Sequence, residues 1–402
     1  MTRRFYYEDS HLKECDATVV SCEKTDAGYD IELDGTVLFE NAGGQPCDTG
    51  MIGSIPVLGV DEVDGRILHH TEQPIKPGTS CHVALDWERR FDFMQQHTGE
   101  HLLSYAVYKL FGACNVGFHL SADYTTIDMD SPLSEEQLEE AERLANRFVS
   151  ANTSVTCRMF ESEEALKKSG TVLRKQAEGL KAPIRIVSIE GADCCTCCAP
   201  HCALTGEVGP VLITEAIAYK GGTRITFLCG DRAVKRAQEM RAVLRSAAKS
   251  FSTSWESVPD AVVKLQEDCK KLRHSEHALT ERVNDSLAKE LVSQAEKAGK
   301  TNLILAKVDN INPGSLKSLA QKTLSGPNTL TILFSVSDDR VSYILAASDE
   351  KTADISELCK TVNMLFSGKG GGRGTLAQGM SQRTECLDES LSQLRNYLLK
   401  TL

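Results

Sequence analysis

Two short stretches of this 402-residue sequence carry side chains that could do chemistry. The first is HTGEH, which sets His97 and His101 four residues apart. On a helix that spacing puts both imidazoles on one face, about one turn apart, ready to offer a metal ion two nitrogens. The second is GADCCTCCAPHC, residues 191–202, with five cysteines and His201 inside nine positions. Cys197 and His201 are again four apart. Two His from a helix plus this Cys and His make a mixed set, nitrogen from each imidazole and sulfur from the thiolate, suited to tetrahedral Zn2+. An all-thiolate site competes with it, since Cys194 and Cys197, or Cys195 and Cys198, form CxxC pairs. No second CxxC pair completes a four-cysteine site. The metalloprotease pattern HExxH needs Glu directly after the first His, where Thr98 stands here; Glu100 instead precedes the second. A protease is not indicated.

The rest of the chain sets the conditions for that chemistry. Fifteen cysteines is a high and odd count. The start, MTRRFYYEDSHLKEC, lacks the apolar run of ~7–15 residues that marks a secretory signal. No window approaches the ~18 apolar residues of a membrane span. These features predict a cytoplasmic chain, with no membrane partner, whose thiols stay reduced. Clustered cysteines then read as ligands or catalytic groups, and scattered ones such as Cys15, Cys81 and Cys359 as small buried hydrophobes. A redox sensor would need exposed thiols of low pKa, which commitment to a metal removes. A net charge of −11 argues against a sequence-independent coat for nucleic acid.

The patterning predicts an α+β multidomain protein. Residues 1–88 alternate in short runs broken by Gly, Asp and Pro, as in a small antiparallel β-barrel, with the glycine-rich loop ENAGGQPCDTG at 40–50 behind a buried Phe39. Residues 89–231 read as an α+β domain. Its first helix runs from about 88 to 111, ended by Gly112, and a second begins at the capping region Ser134–Glu136. A shorter helix lies near 162–179, the strand IRIVSIEG leads into the cysteine cluster, and a hairpin turns at Lys-Gly-Gly. Residues 232–298 are helical, with a Ser/Thr-rich break. Val262, Leu265, Cys269, Leu272, Leu279 and Val283 fall on heptad positions, interrupted by Glu276, which suits a helical linker or short coiled coil. Residues 299–402 alternate strand and helix, including one at about 383–400, and read as a C-terminal α/β domain with a glycine-rich loop, SGKGGGRGTLAQG, at 367–379.

The order of motifs is similar to a known family. GGQ at 43–45, HTGEHLLS and a Cys-x3-His after a strand resemble the editing region of alanyl-tRNA synthetase and its freestanding relatives, the AlaX-type trans-editing proteins. SGKGGGRGTLAQG resembles the signature of the C-Ala domain carried by the longer members. The resemblance covers nearly the whole chain, without an ATP-binding core, so ATP-independent action is expected. It implies one zinc ion per chain on His97, His101, Cys197 and His201. Two departures stand out: Cys198, Ala199 and Pro200 fill a loop usually built of small residues and a Thr, and Glu40-Asn41-Ala42 replaces the common Pro-Glu-Gly before GGQ.

What the resemblance implies is hydrolysis of the ester joining serine or glycine to tRNA(Ala), which maintains the fidelity of translation. A pocket that accepts serine and refuses alanine can hydrogen-bond the extra hydroxyl, leaving polar partners unpaired when it is missing. The candidates are Gln45, Thr49 and Gln96, then His119 and Ser121. Asp193 is a candidate to cap the ligand loop or hold a ligand His from behind. Thr98 reads as helix surface. Successive Gly N–H groups in GKGGGRG can face an anion, so Lys369, Gly370, Gly371, Gly372 and Arg373 are the expected tRNA contacts; no Walker A pattern is present. By resemblance this domain binds the tRNA elbow and supports a homodimer, through itself or the linker. The alternative is a catalytically inactive zinc-containing tRNA-binding or regulatory module.

Overall fold

The computed structural model describes residues 2–174, 179, 182–337, 340–382 and 387–402. They form two compact units, Met1–Ala247 and Ala248–Leu402.

In the first unit, strands Glu14–Thr25, Gly28–Leu33, Arg66–Thr71, Ile55–Val63, Gly50–Ile52 and Ser80–Leu85 pair in that order and close on themselves. Every pairing is antiparallel. The alternation works as the pleat requires: Ile31 and Leu33 are buried, and Glu32 between them reaches outward to Arg66. Helix α1, Trp87–Phe111, leaves this barrel directly. The Asp86 side chain caps its start, accepting from the Arg89 backbone, and Gly112 ends it at φ 72°, a left-handed conformation that favours glycine.

Helix α1 is not amphipathic. Every residue from Gln96 to Ser104 is buried, including His97, Thr98, Glu100 and His101. A helix this polar stays buried only when its polar groups find partners, and those partners build the site. Around it lie α2, Glu135–Ala151, and a four-stranded sheet ordered Val211–Tyr219, Gly222–Cys229, Thr125–Met129, Asn115–Leu120. Ser134 and Gln137 make a capping box at the start of α2. A second sheet pairs Val155–Phe160, Ile184–Ile189 and Cys194–Thr196, so the cysteine cluster begins on an edge strand. The short helix expected at 162–179 is α3, Glu163–Lys168; residues 175–178 of that span lie outside the described ones. Helix α4, Gly230–Ser250, follows the hairpin.

In the second unit, α5 spans Val258–Ser293. The expected helical stretch ends there, because Glu296–Ala298 is the first strand of a six-stranded sheet. The order continues Thr301–Asp309, Thr329–Ser337, Arg340–Ala347, Leu376–Ser381, Lys369–Arg373. Thr301–Asp309 and Thr329–Ser337 run parallel, joined through α6, Pro313–Thr323. Adjacent strand residues serve opposite faces. Leu303, Phe334 and Leu345 pack with α7, Ile355–Leu365, and α8, Leu387–Thr401; Ile304, Leu333 and Ile344 pack with α6 and the end of α5. The start expected for α8, at 383–386, lies outside the described residues.

The GKGGGRG stretch is not a loop. Lys369–Arg373 is an exposed edge strand, antiparallel to Leu376–Ser381. A Cβ on Gly372 would lie 2.0 Å from the Leu376 carbonyl, and one on Gly370 2.6 Å from that of Gln378. The glycines here permit close pairing. No described helix is long and apolar enough to cross a membrane.

Candidate metal centre and cavity

Helix α1 and the loop after Cys194–Thr196 bring His97, His101, Cys197 and His201 together, with one donor atom from each lying within 4.8 Å of the others. The Cys197 Sγ is 3.4 Å from Nε2 of His97 and 3.2 Å from Nε2 of His201. The all-thiolate alternative is not what the fold assembles. Each imidazole is also held from behind at Nδ1. Gln45 Oε1 accepts from His97 at 2.8 Å, Asp193 Oδ2 from His101 at 3.1 Å, and the Thr98 hydroxyl meets His201 at 3.0 Å. For His97 and His101, whose partners are acceptor oxygens, that fixes the tautomer so that Nε2 is the free donor, as metal-ligating histidines require. Burial pushes the Cys197 thiol up, but the imidazoles of His97, His201 and His101 overcome it and hold it well below the usual thiol range. Three imidazoles and one thiolate, buried and oriented, fit Zn2+.

Asp193 is therefore a partner of a donor residue. Burial would raise its pKa, but His101 and Arg174 hold it below the usual carboxylate range. Arg174 reaches Asp193 through Nε at 2.7 Å and Nη2 at 3.1 Å. A second group of donors, His101, Asp193 and Cys195, also comes together here. The Arg174 charge lying on Asp193 opposes a second cation at that point.

The glycine-rich loop delivers Gln45. Gly43 and Gly44 adopt φ 60° and 78°. A Cβ at Gly43 would meet Cys198 Sγ at 3.0 Å, and one at Gly44 the Phe118 carbonyl at 2.9 Å. The two glycines let the loop press against the cysteine segment and carry Gln45 onto His97. Its unusual start is braced by side chains. Glu40 takes hydrogen bonds from Tyr6 and, at 3.0 Å, from Arg4; Asn41 Oδ1 accepts from the Cys47 amide at 2.9 Å. At its base Asp48, fully buried, pairs with Arg90 of α1 and accepts from the Phe39 amide at 2.8 Å. Arg90 thus locks the loop to the helix that carries the histidines.

The remaining sequence candidates fall elsewhere. Gln96 is buried, but both ends of its amide are used on the Cys229 backbone, at 2.8 and 3.0 Å, where it clasps the helix to the sheet. Thr49 lies at the start of α1, its carbonyl accepting from the Asp86 amide. His119 is exposed beside Tyr124; strand alternation turns it away while Phe118 meets the His97 ring at 4.7 Å. Ser121 closes a turn with Tyr124. Thr98, expected at the surface, is fully buried and holds His201. Of the surplus cysteines, Cys202 packs in the core, Cys194 meets Ser188, Cys195 lies 3.2 Å from His101 Nδ1, and Cys198 sits under Gly43 with burial pushing its thiol up to about 11.

A cavity of about 950 Å³ opens beside the cluster, lined among others by His97, Glu100, Phe118, Arg174, Arg185 and Cys197. Sequence reasoning missed Glu100, though its position three residues after His97 on a helix was a usable signal. Arg185 gave none. It reaches the ligand loop from another strand, donating to the carbonyls of Cys197 and Ala199 at 2.9 and 2.8 Å.

Comparison with known proteins follows the same outline. A DHHA1 domain model matches residues 300–400. The alanyl-tRNA editing protein AlaX-L of Pyrococcus horikoshii is 30% identical over 99% of this chain and 100% of its own length. The chain belongs to this family. The alanyl-tRNA editing protein Aarsd1 of Danio rerio, another relative, is 28% identical over 97% of both chains. The alanine–tRNA ligase of Thermococcus kodakarensis is 32% identical over 99% of this chain, yet only 44% of the ligase is matched. The chain thus spans under half the length of the ligases it resembles.

Proposed function

We propose that this chain hydrolyses the ester joining a wrongly attached amino acid, serine or glycine, to tRNA(Ala), acting in trans and without ATP. The names of the full-length relatives support this. The observation that carries it is Gln45 docked on His97, one of an oriented set of imidazole and thiolate donors of which His97 and Cys197 line a cavity. Zn2+, held by His97, His101, Cys197 and His201, would be closed by four protein ligands and so supply positive potential that orients the substrate. An aminoacyl ester is already activated, so positioning does most of what is needed.

Selectivity falls to Gln45. Its Oε1 is spent on His97, while its Nε2 is buried without a partner among the described residues. A buried donor left unpaired costs roughly 1–3 kcal/mol. A seryl hydroxyl relieves that cost and an alanyl methyl does not, which favours hydrolysis of the seryl ester.

On this reading residues 1–88 and 89–231 handle the ester, and 299–402 the tRNA. Lys369 and Arg373, on the exposed edge strand, contact RNA phosphates. The seam on α5, where Leu272 is 69% and Leu279 59% exposed, pairs with a second copy of the chain.

The test is deacylation of Ser-, Gly- and Ala-tRNA(Ala) by the purified protein, with zinc measured on the same sample. Rapid loss of the seryl or glycyl ester with the alanyl ester spared supports the hydrolase. No deacylation by zinc-loaded protein sinks it and leaves an inactive tRNA-binding module.

A further inference from the structure

Glu100 is not one of the four donors of the metal cluster. It shares a face of α1 with His97 and is buried, yet it lines the cavity. One carboxylate oxygen, Oε1, accepts from Ser104 Oγ and Asn115 Nδ2, both at 2.5 Å. The other, Oε2, has no hydrogen bond among the described residues and lies 3.7 Å from His101 Nε2. Arg174, the cation on this side of the cavity, gives Nε and Nη2 to Asp193 and interacts with Glu100 through charge but makes no hydrogen bond to it among the described residues. His101 is neutral when it serves as a metal donor. Glu100 is therefore a buried carboxylate group with one oxygen held by two hydrogen bonds and the other unspent. Such a charge is costly unless something positive meets it.

The ester proposed as substrate carries a positive group next to its scissile carbonyl, the α-ammonium. We propose that Glu100 Oε2 receives the α-ammonium group of the bound aminoacyl ester. This rests on the deacylase reading above and extends it. Every standard aminoacyl ester has that group, so Glu100 sets the substrate class and its orientation, and leaves the choice of side chain to Gln45. Esters with a blocked amine are excluded: an acetylated nitrogen is uncharged, and its acyl group would meet the carboxylate.

The conservative variant separates this role from a structural one. In Glu100→Gln the side-chain carbonyl still accepts from Ser104 and Asn115, while the charge is gone. The experiment compares Ser-tRNA(Ala) with N-acetyl-Ser-tRNA(Ala) for wild type and variant, with zinc content and thermal melting on the same samples. Wild type is expected to prefer the free amine strongly. Glu100→Gln should lose about 10- to 100-fold on the free-amine ester, mainly in KM, in line with a charge-assisted hydrogen bond. It should leave the acetylated ester unchanged, so the preference collapses, with zinc and melting point retained. A wild type that treats both esters alike overturns the proposal, as does a variant slowed equally on both. Loss of zinc from the variant also overturns it, in favour of Glu100 balancing the metal charge. A wild type inactive on every ester sinks the deacylase reading itself, and this proposal with it.

Discussion

An amide, a carboxylate and a hydroxyl, from Gln45, Asp193 and Thr98, hold the three imidazoles of the cluster at Nδ1. Partners of this kind typically affect metal affinity by ~10–100-fold. Thr98→Val, which keeps the shape and removes the hydroxyl, should therefore weaken zinc binding by about that factor. Competition with a chromogenic chelator measures it, and unchanged affinity would show that His201 is oriented by the loop alone. Cys197→Ser should release zinc outright. If zinc survives, Cys195 has taken over as donor. At this scale the sequence announced the donors through two i, i+4 pairs. Thr98 was misread because a Thr beside His97 carries no sign of burial, and only the closure of the 197–201 loop over α1 supplies its partner.

Elements place those residues, and two features of α1 set the tolerance. Gly99 packs against Cys229, and a Cβ there would lie 2.2 Å from its Sγ. Alanine favours a helix over glycine by roughly 0.5–1 kcal/mol, but overpacking a closed core costs ~1–3 kcal/mol. The clash should win, so Gly99→Ala is expected to be destabilised in urea titrations and to loosen zinc, since it pushes the helix between His97 and His101. In the barrel, burial pushes His69 down to about 4, where Thr36 and the Ile31 carbonyl hold it. The unfolded chain protonates this residue near 6.5. Its share of stability is thus complete above pH 6.5 and lost as pH falls toward 4, by about 3 kcal/mol. His69→Gln should show a shallower loss over that window than wild type; parallel curves would refute it. Helical spacing and Gly112 made α1 legible to within a residue. The glycine-rich edge strand was not legible, because glycines signal a loop unless the neighbouring backbone they approach is known.

At the scale of the molecule, contacts resolve two units with the boundary inside α4, a coarser division than the four segments the sequence suggests. Buried polar links such as Arg90 to Asp48 weld the barrel to the helix that follows, and nothing in local composition reports a tie between residues 42 positions apart. The second unit poses a different question, since Lys369 and Arg373 lie exposed on an edge strand of a chain with net charge −11. Binding that depends on Lys369 and Arg373 must act against a repulsive whole-molecule field and so must be local and salt-sensitive. Each phosphate contact contributes about 0.7–0.9 to the slope of log affinity against log salt. The double variant Lys369→Glu, Arg373→Glu should therefore bind tRNA(Ala) more weakly and flatten that slope by about 1.5–2. In deacylation assays KM should rise while kcat at saturating tRNA stays unchanged, if the ester is handled in the first unit as proposed. An unaltered slope would remove the edge strand from the tRNA interface. A fall in kcat with KM unchanged would mean the strand serves the chemistry rather than capture of the tRNA.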